Sequence, residues 1–307
     1  MDTIESNGKS DPVLDISPDG DVVLVVGPRN ERLRVQSQCL QCASKVFDAM
    51  FKPYWSEGQG LSKESPREVP LVEDDAHAMQ TICCVIHHRN NDVPVSLTSK
   101  EVLQIAIAVD KYDLKVALKY ASVQWLKPRP DEERVDKGYL LAAAFLYDDM
   151  DTFAAHTLSL ILYHKGSYLE FLDDEITNQI VHWKTFYLLK ERRTRMRAEL
   201  SQLLIKGKRA ACSCGWAKTR GEKYALLLLD YGPLKMLDAP ISEIIEKMEK
   251  VSCEDMGRKY HGNWLHEAPT KDETLPGQLE TLKKKVSIYL DCVRSLDATI
   301  PCRFQHE

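Results

Sequence analysis

Hydrophobic and polar positions follow one pattern up to about residue 130 and another beyond it. In Asp21-Val22-Val23-Leu24-Val25-Val26-Gly27, an uninterrupted β-branched run stopped by Gly27-Pro28 predicts a strand buried on both faces. After the polar turn Arg29-Asn30-Glu31, the alternation Arg32-Leu33-Arg34-Val35-Gln36 predicts a half-exposed partner strand, completing a hairpin. Ser37 is placed to cap a helix whose apolar positions Leu40, Ala43, Phe47, Met50 and Phe51 recur at helical spacing, with Pro53 ending it. Glu68-Val69-Pro70-Leu71-Val72 predicts a short strand that Pro70 confines to an edge or an end. Asp74-Asp75 puts acid at the start of a helix running to about His88, with Met79, Ile82, Cys83 and Ile86 inward. Thr98 and Glu101 have capping-box spacing and open a helix carrying Val102, Leu103, Ile105, Ala106 and Val109. Leu114, Ala117, Leu118, Ala121 and Trp125 define one more.

Past Lys127-Pro128-Arg129-Pro130 every strong signal is helical: roughly 132–147, 151–164, 168–173, 176–204, 222–230, 241–250 and 278–296. No fixed-period repeat is visible, which argues against a solenoid. The pattern therefore divides the chain into a polar, disordered tail over 1–17, an α+β domain over 18–128 and an all-α region over 131–307, with an exposed loop at about 252–276. The segment from Ile176, with Ile180, Val181, Trp183, Phe186, Tyr187 and Leu188, is apolar on much of its circumference and reads as core of the second domain.

Composition narrows this picture. A chain of 307 residues with 44% hydrophobic and 28% charged positions can build real cores. No run approaches the ~18 apolar residues of a membrane helix, and the start at Met1-Asp2-Thr3-Ile4-Glu5 has neither the basic nor the apolar part of a signal peptide. A cytoplasmic or nuclear protein is expected. The odd count of nine cysteines then points to reduced thiols, with Cys39, Cys42, Cys83, Cys84 and Cys292 as small buried hydrophobes. The net charge of −5 averages an acidic tail against a basic stretch, Lys190 to Lys223, that includes Arg192, Arg193, Arg195, Arg197, Lys206, Lys208 and Arg209. With Met196, Leu200, Leu203 and Leu204 turned inward, that stretch reads as a solvated helix face rather than a nucleic-acid surface.

Residues about 19–127 resemble a BTB/POZ domain. The residues that carry the likeness are the Asp-Val-apolar strand at Asp21, then Leu40, followed by Ser44-Lys45-Val46-Phe47-Asp48-Ala49-Met50-Phe51. Val69 and Leu71, the Asp-Asp pair and the two helices after Val93-Pro94 continue it. Ile86-His87-His88-Arg89 and Asp110-Lys111-Tyr112 are similar to stretches in BTB-domain proteins common in filamentous fungi. The fold class implied is an α+β BTB/POZ domain followed by an all-α C-terminal region.

The resemblance implies a protein–protein interaction module. Members that recruit a cullin ubiquitin-ligase scaffold carry an apolar-x-Glu triplet after the Met-Phe helix, and Trp55-Ser56-Glu57 stands there, just beyond Met50 and Phe51. The expected role is a substrate adaptor joining a cullin scaffold to an unidentified protein. The alternative is a nuclear scaffold or transcriptional cofactor without its own DNA-reading domain. Where the family's corepressor pocket has a cation, this chain has Gln36-Ser37 beside Asp21, which disfavours that alternative. The swapped helix and strand of many relatives are not evident before Asp21, so homodimerisation stays open.

Two further patterns bear on chemistry. Cys212, Cys214, Cys253 and His261, with His266 and Cys302, offer the thiolates and imidazoles of a structural zinc site, although Cys-x-Cys is not the usual knuckle. Apart from that zinc, no cofactor is expected. Phosphate loops, Gly-x-Gly-x-x-Gly, nucleophile elbows and His-Glu-x-x-His are all missing, so no enzymatic activity is expected and no catalytic residue is assigned.

Overall fold

The computed structural model describes residues 12–208, 215–254 and 275–294. By backbone contacts the chain forms two compact units: residues 1–127 with 142–148, and residues 128–141 with 149–307.

The first unit is mixed α/β. Its strands are β1 (Val13–Asp15), β2 (Val22–Val26), β3 (Glu31–Val35) and β4 (Arg67–Leu71), in the sheet order β1-β3-β2-β4. β2 runs antiparallel to β3 and parallel to β4, so the β-branched run lies inside the sheet with Val22, Leu24 and Val26 fully buried. Pro70 sits on the edge strand β4, where its missing N–H leaves no ladder bond unmade. Residues 13–15, within the segment read as a tail, instead form β1, parallel to β3. The segment is tied down because the Ile16 and Ser17 amides both donate to the Arg34 carbonyl and Ile16 is buried. An otherwise open edge of β3 is thereby paired.

The helix expected from Ser37 to Phe51 is two helices, α1 (Ser37–Ala43) and α2 (Lys45–Met50). The break is Ser44, which is extended. Its hydroxyl accepts from the Phe47 amide and donates to the Tyr112 carbonyl at 2.5 Å, a side-chain alternative to continuing the helix. Ser37 does not cap α1; it is the first helical residue, and its amide and hydroxyl donate to Asp21 at 2.7 and 2.6 Å. α3 (Ala76–Ile86) is capped by Asp75, and α4 (Ser99–Lys111) by the Thr98–Glu101 capping box with both bonds formed. The last helix of the set, α5 (Lys119–Trp125), starts later than its apolar spacing predicts; Leu114 and Leu118 are buried from turns that precede it.

The second unit is helical among its described residues. α6 (Arg134–Leu146) begins in it, and α7 (Met150–Tyr163), α8 (Glu175–Ile180), α9 (Trp183–Lys208), α10 (Gly215–Asp238), α11 (Ile241–Glu254), α12 (Leu275–Val286) and α13 (Leu290–Arg294) follow. The segment read as one helix over 176–204 breaks at Val181, which is extended; Asp174 caps α8, and the His182 ring accepts from the Lys184 amide at the start of α9. α10 is longer than the 222–230 segment and bends at Gly232 (φ 42°), a left-handed residue that precedes a proline and cannot continue a helix. The segment at 278–296 also divides, and there the Ile288 amide and carbonyl both bond the Thr157 hydroxyl of α7, at 3.3 and 3.0 Å. Met196, Leu200 and Leu204 are fully buried, as their spacing predicts, whereas Leu203 is only half-buried. Trp183 and Tyr187 are not core: they are 59% and 61% exposed and meet edge-on.

Candidate functional site

The first unit's hydrophobic core determines where the loop after α2 can go. Phe47 is stacked on Tyr112, with ring centroids 4.6 Å apart, and on Phe51 at 6.0 Å. Tyr112 is in turn anchored by its hydroxyl, which donates to Asp74 at 2.6 Å, while the Lys111 ammonium reaches the other carboxylate oxygen at 2.8 Å. Asp74, read from the sequence as a helix-start acid, is instead the buried acceptor of this network; Asp75 alone caps α3. Burial and the adjoining carboxylate push the Tyr112 phenol far up, so it stays a donor.

This anchoring corrects two of the five partner-facing residues expected from the sequence. Phe51 is only 3% exposed and belongs to the core, and Met50 is half-buried. The aromatic and acidic residues beyond them are presented outward. Trp55 is 55% exposed and its neighbour Tyr54 73%, with their rings tilted against each other at 6.0 Å.

The first part of the loop is locked. A 3-10 turn spans Ser56–Gly58, the Trp55 amide donates to Lys52, and the Gly58 amide donates back to Trp55. Gly58 lies so close to the end of α2 that an added Cβ would stand 2.2 Å from the Lys52 carbonyl oxygen. Only glycine fits that approach. Ser56 donates to Glu57 at 2.8 Å, and this bond, followed by Glu57's own amide and the nearby Arg67, holds its carboxyl below the usual range. The surface thus combines two exposed rings, an ionised carboxylate and a fixed backbone. Tyr54 was not singled out from the sequence, although its place beside Trp55 was the available signal.

Asp21 has both carboxylate oxygens engaged by Ser37, through its neutral hydroxyl and its amide. Val116, Tyr120 and Val123 fall outside the predicted core face of α5 and its preceding turn, and they are 87%, 88% and 56% exposed.

Of the zinc candidates, Cys212, Cys214 and His261, like His266 and Cys302, lie outside the described residues, as does the side chain of Cys253. Among the described residues, no group of three or more His, Cys, Asp or Glu is arranged to hold a metal ion. No described helix is long and apolar enough to cross a membrane. The basic residues of α9 are partly engaged within their own unit: Arg193 lies 4.1 Å over the Tyr168 ring and donates to the His164 and Gly166 carbonyls, and Arg197 donates to Ala239.

Compared with known proteins, the chain matches no protein-family model, and no curated protein matches it.

Proposed function

We propose that the chain is a BTB/POZ-type adaptor. In this reading it docks a cullin scaffold through the loop at Trp55, Ser56 and Glu57 and holds a second protein on its helical unit. The observation that carries the reading is the pairing of exposed Tyr54 and Trp55 with ionised Glu57 on a turn that Gly58 fixes against α2. Rigid aromatic rings bring large apolar area at small entropic cost, which is how binding hot spots are built, and an adjacent charge sets orientation. The order β2-β3-α1-α2-β4-α3-α4-α5, with Leu40, Phe47 and Phe51 in its core, supports the family resemblance that supplies the partner class. For the helical unit, the exposed pair Trp183 and Tyr187 is the corresponding candidate surface. The engagement of Asp21 by Ser37 counts against the alternative, corepressor-style role, because that acid is already satisfied.

Titration of the full chain with a cullin N-terminal domain tests the proposal. Trp55→Ala should weaken binding by about 2 kcal/mol, roughly thirtyfold in Kd, and Glu57→Ala by less. An unaltered Kd in the double variant, or no binding by the wild-type chain, would overturn it.

A further inference from the structure

Cys39-Leu40-Gln41-Cys42 occupies α1, and the sequence reading of all its thiols as buried hydrophobes does not hold there. Leu40 is the fully buried residue, Cys39 is half-buried and Cys42 is exposed. Both line one cavity of ≈ 600 Å³ in the first unit, with Gln36, Gln38, Ala43, Val85, Ile86, His88 and Ala117 completing its wall. That volume is in the range of small-molecule sites.

From these positions we infer that Cys39 and Cys42 form a thiol–disulfide exchange site that takes a small peptide-like disulfide, such as glutathione disulfide, from solution. Three features carry this. First, the spacing is right. Residues three apart on a helix have Cα atoms about 5 Å apart from its rise and radius, inside the range disulfides span. Cys42 lies in the last turn of a seven-residue helix that ends at extended Ser44. Second, the two thiols differ in the way ordered exchange requires. Cys42 is open to attack a disulfide, whereas burial, and then the proximity of Cys42, push the Cys39 thiol up and keep it protonated until it is needed. Third, the open depression they line has both polar and apolar residues, as a peptide-like reactant requires. Gln36 and Gln38 supply amides, Val85 and Ile86 apolar wall, and His88 an imidazole from a left-handed backbone (φ 57°). That conformation is stabilised at the end of α3, where the Arg89 amide donates to Cys84 and the His88 amide to Val85.

The exchange balances as follows. The Cys42 thiolate attacks one sulfur of the incoming disulfide and releases one thiol, leaving a mixed disulfide. Cys39, losing its proton, attacks the Cys42 sulfur and releases the second thiol. Two protein thiols are oxidised, one external disulfide is reduced, and the two protein protons leave on the two small thiols.

The test uses the full chain equilibrated in glutathione buffers of increasing oxidised fraction, acid-quenched, denatured, alkylated and mapped by mass spectrometry. Cys39 and Cys42 should lose alkylation together and appear as one linked peptide, while the fully buried Cys83 is still alkylated. Cys39→Ser should accumulate a stable glutathione adduct on Cys42, and Cys42→Ser should acquire its adduct on Cys39 several-fold more slowly. The inference fails if Cys39 and Cys42 both remain alkylated in the most oxidised buffer. It fails equally if Cys42 pairs with another cysteine, or if Cys39 is the faster to be modified. None of these readouts depends on cullin binding, so they separate this inference from the docking proposal.

Discussion

Polar bonds join elements far apart in sequence in both units, but in the first they converge on side-chain acceptors and hydroxyls packed between elements, whereas in the second most of them end where helices stop. Asp74 ties β4's exit to the end of α4 through Lys111 and Tyr112, Asp21 ties the start of β2 to α1, Ser44 ties α2 to Tyr112, and the His87 ring accepts from the Gln36 amide. In the helical unit, Arg193 and Arg197 bind carbonyls at chain breaks, His182 and Asp174 cap helices, and Thr157 meets the gap between α12 and α13. The difference follows from topology. A mixed sheet gains order from contacts that fix register across long loops, whereas helices satisfy their own backbones and need partners only where they stop.

This contrast can be broken experimentally, starting where the effect is largest. Asp74→Ala strands a buried phenol and a lysine, and should cost about 3 kcal/mol in urea unfolding of the full chain. Gly58→Ala forces the turn off α2 and should cost about 2 kcal/mol, while also weakening cullin-domain binding. In the helical unit, Arg193→Met loses two carbonyl bonds and the stack on Tyr168. Local repair predicts a smaller cost, about 1 kcal/mol, since the ends it caps can reach water. If Arg193→Met costs as much as Asp74→Ala, the division between buried side-chain locking and helix-end repair is wrong.

The smallest effect is a pH dependence shared by the two units. Burial pushes the rings of His87 and His164 below the ordinary histidine range. The unfolded chain gains protons as the pH falls below about 6.5, where the folded chain still resists them. Stability is therefore full above that pH and declines as the pH falls toward the lower folded values. Urea midpoints at neutral and mildly acidic pH should show this decline, and His87→Gln together with His164→Gln should reduce it. An unchanged slope in the double variant would remove both rings as its source.

The sequence made some of this legible for identifiable reasons. The capping box at Thr98 and Glu101, the buried run at Val22–Val26 and the edge position of Pro70 each follow from one local rule acting alone. Other features depended on partners that local patterns do not reveal. Three residues at Val13–Asp15 are too few to show a period, and only β3's open edge makes them a strand. Ser44 looked like any helix residue until the Tyr112 carbonyl supplied its second bond. At the candidate site, Trp55 and Glu57 could be named from spacing, but the burial of Phe51 and the closeness of Gly58 to Lys52 could not. Cys39 and Cys42 were misjudged because average cysteine burial was applied to a helix whose inward position is Leu40.

The first unit is also not one uninterrupted piece of chain. Besides residues 1–127 it includes 142–148, where Ala142, Ala143 and Ala144 are fully buried. A fragment ending at Lys127 would therefore lack seven residues of its own unit, so cutting at the proline-rich break should not release that unit whole. Proteases, truncation libraries and gene shuffling alike would meet a unit that can be excised intact only by carrying the chain through to Asp148.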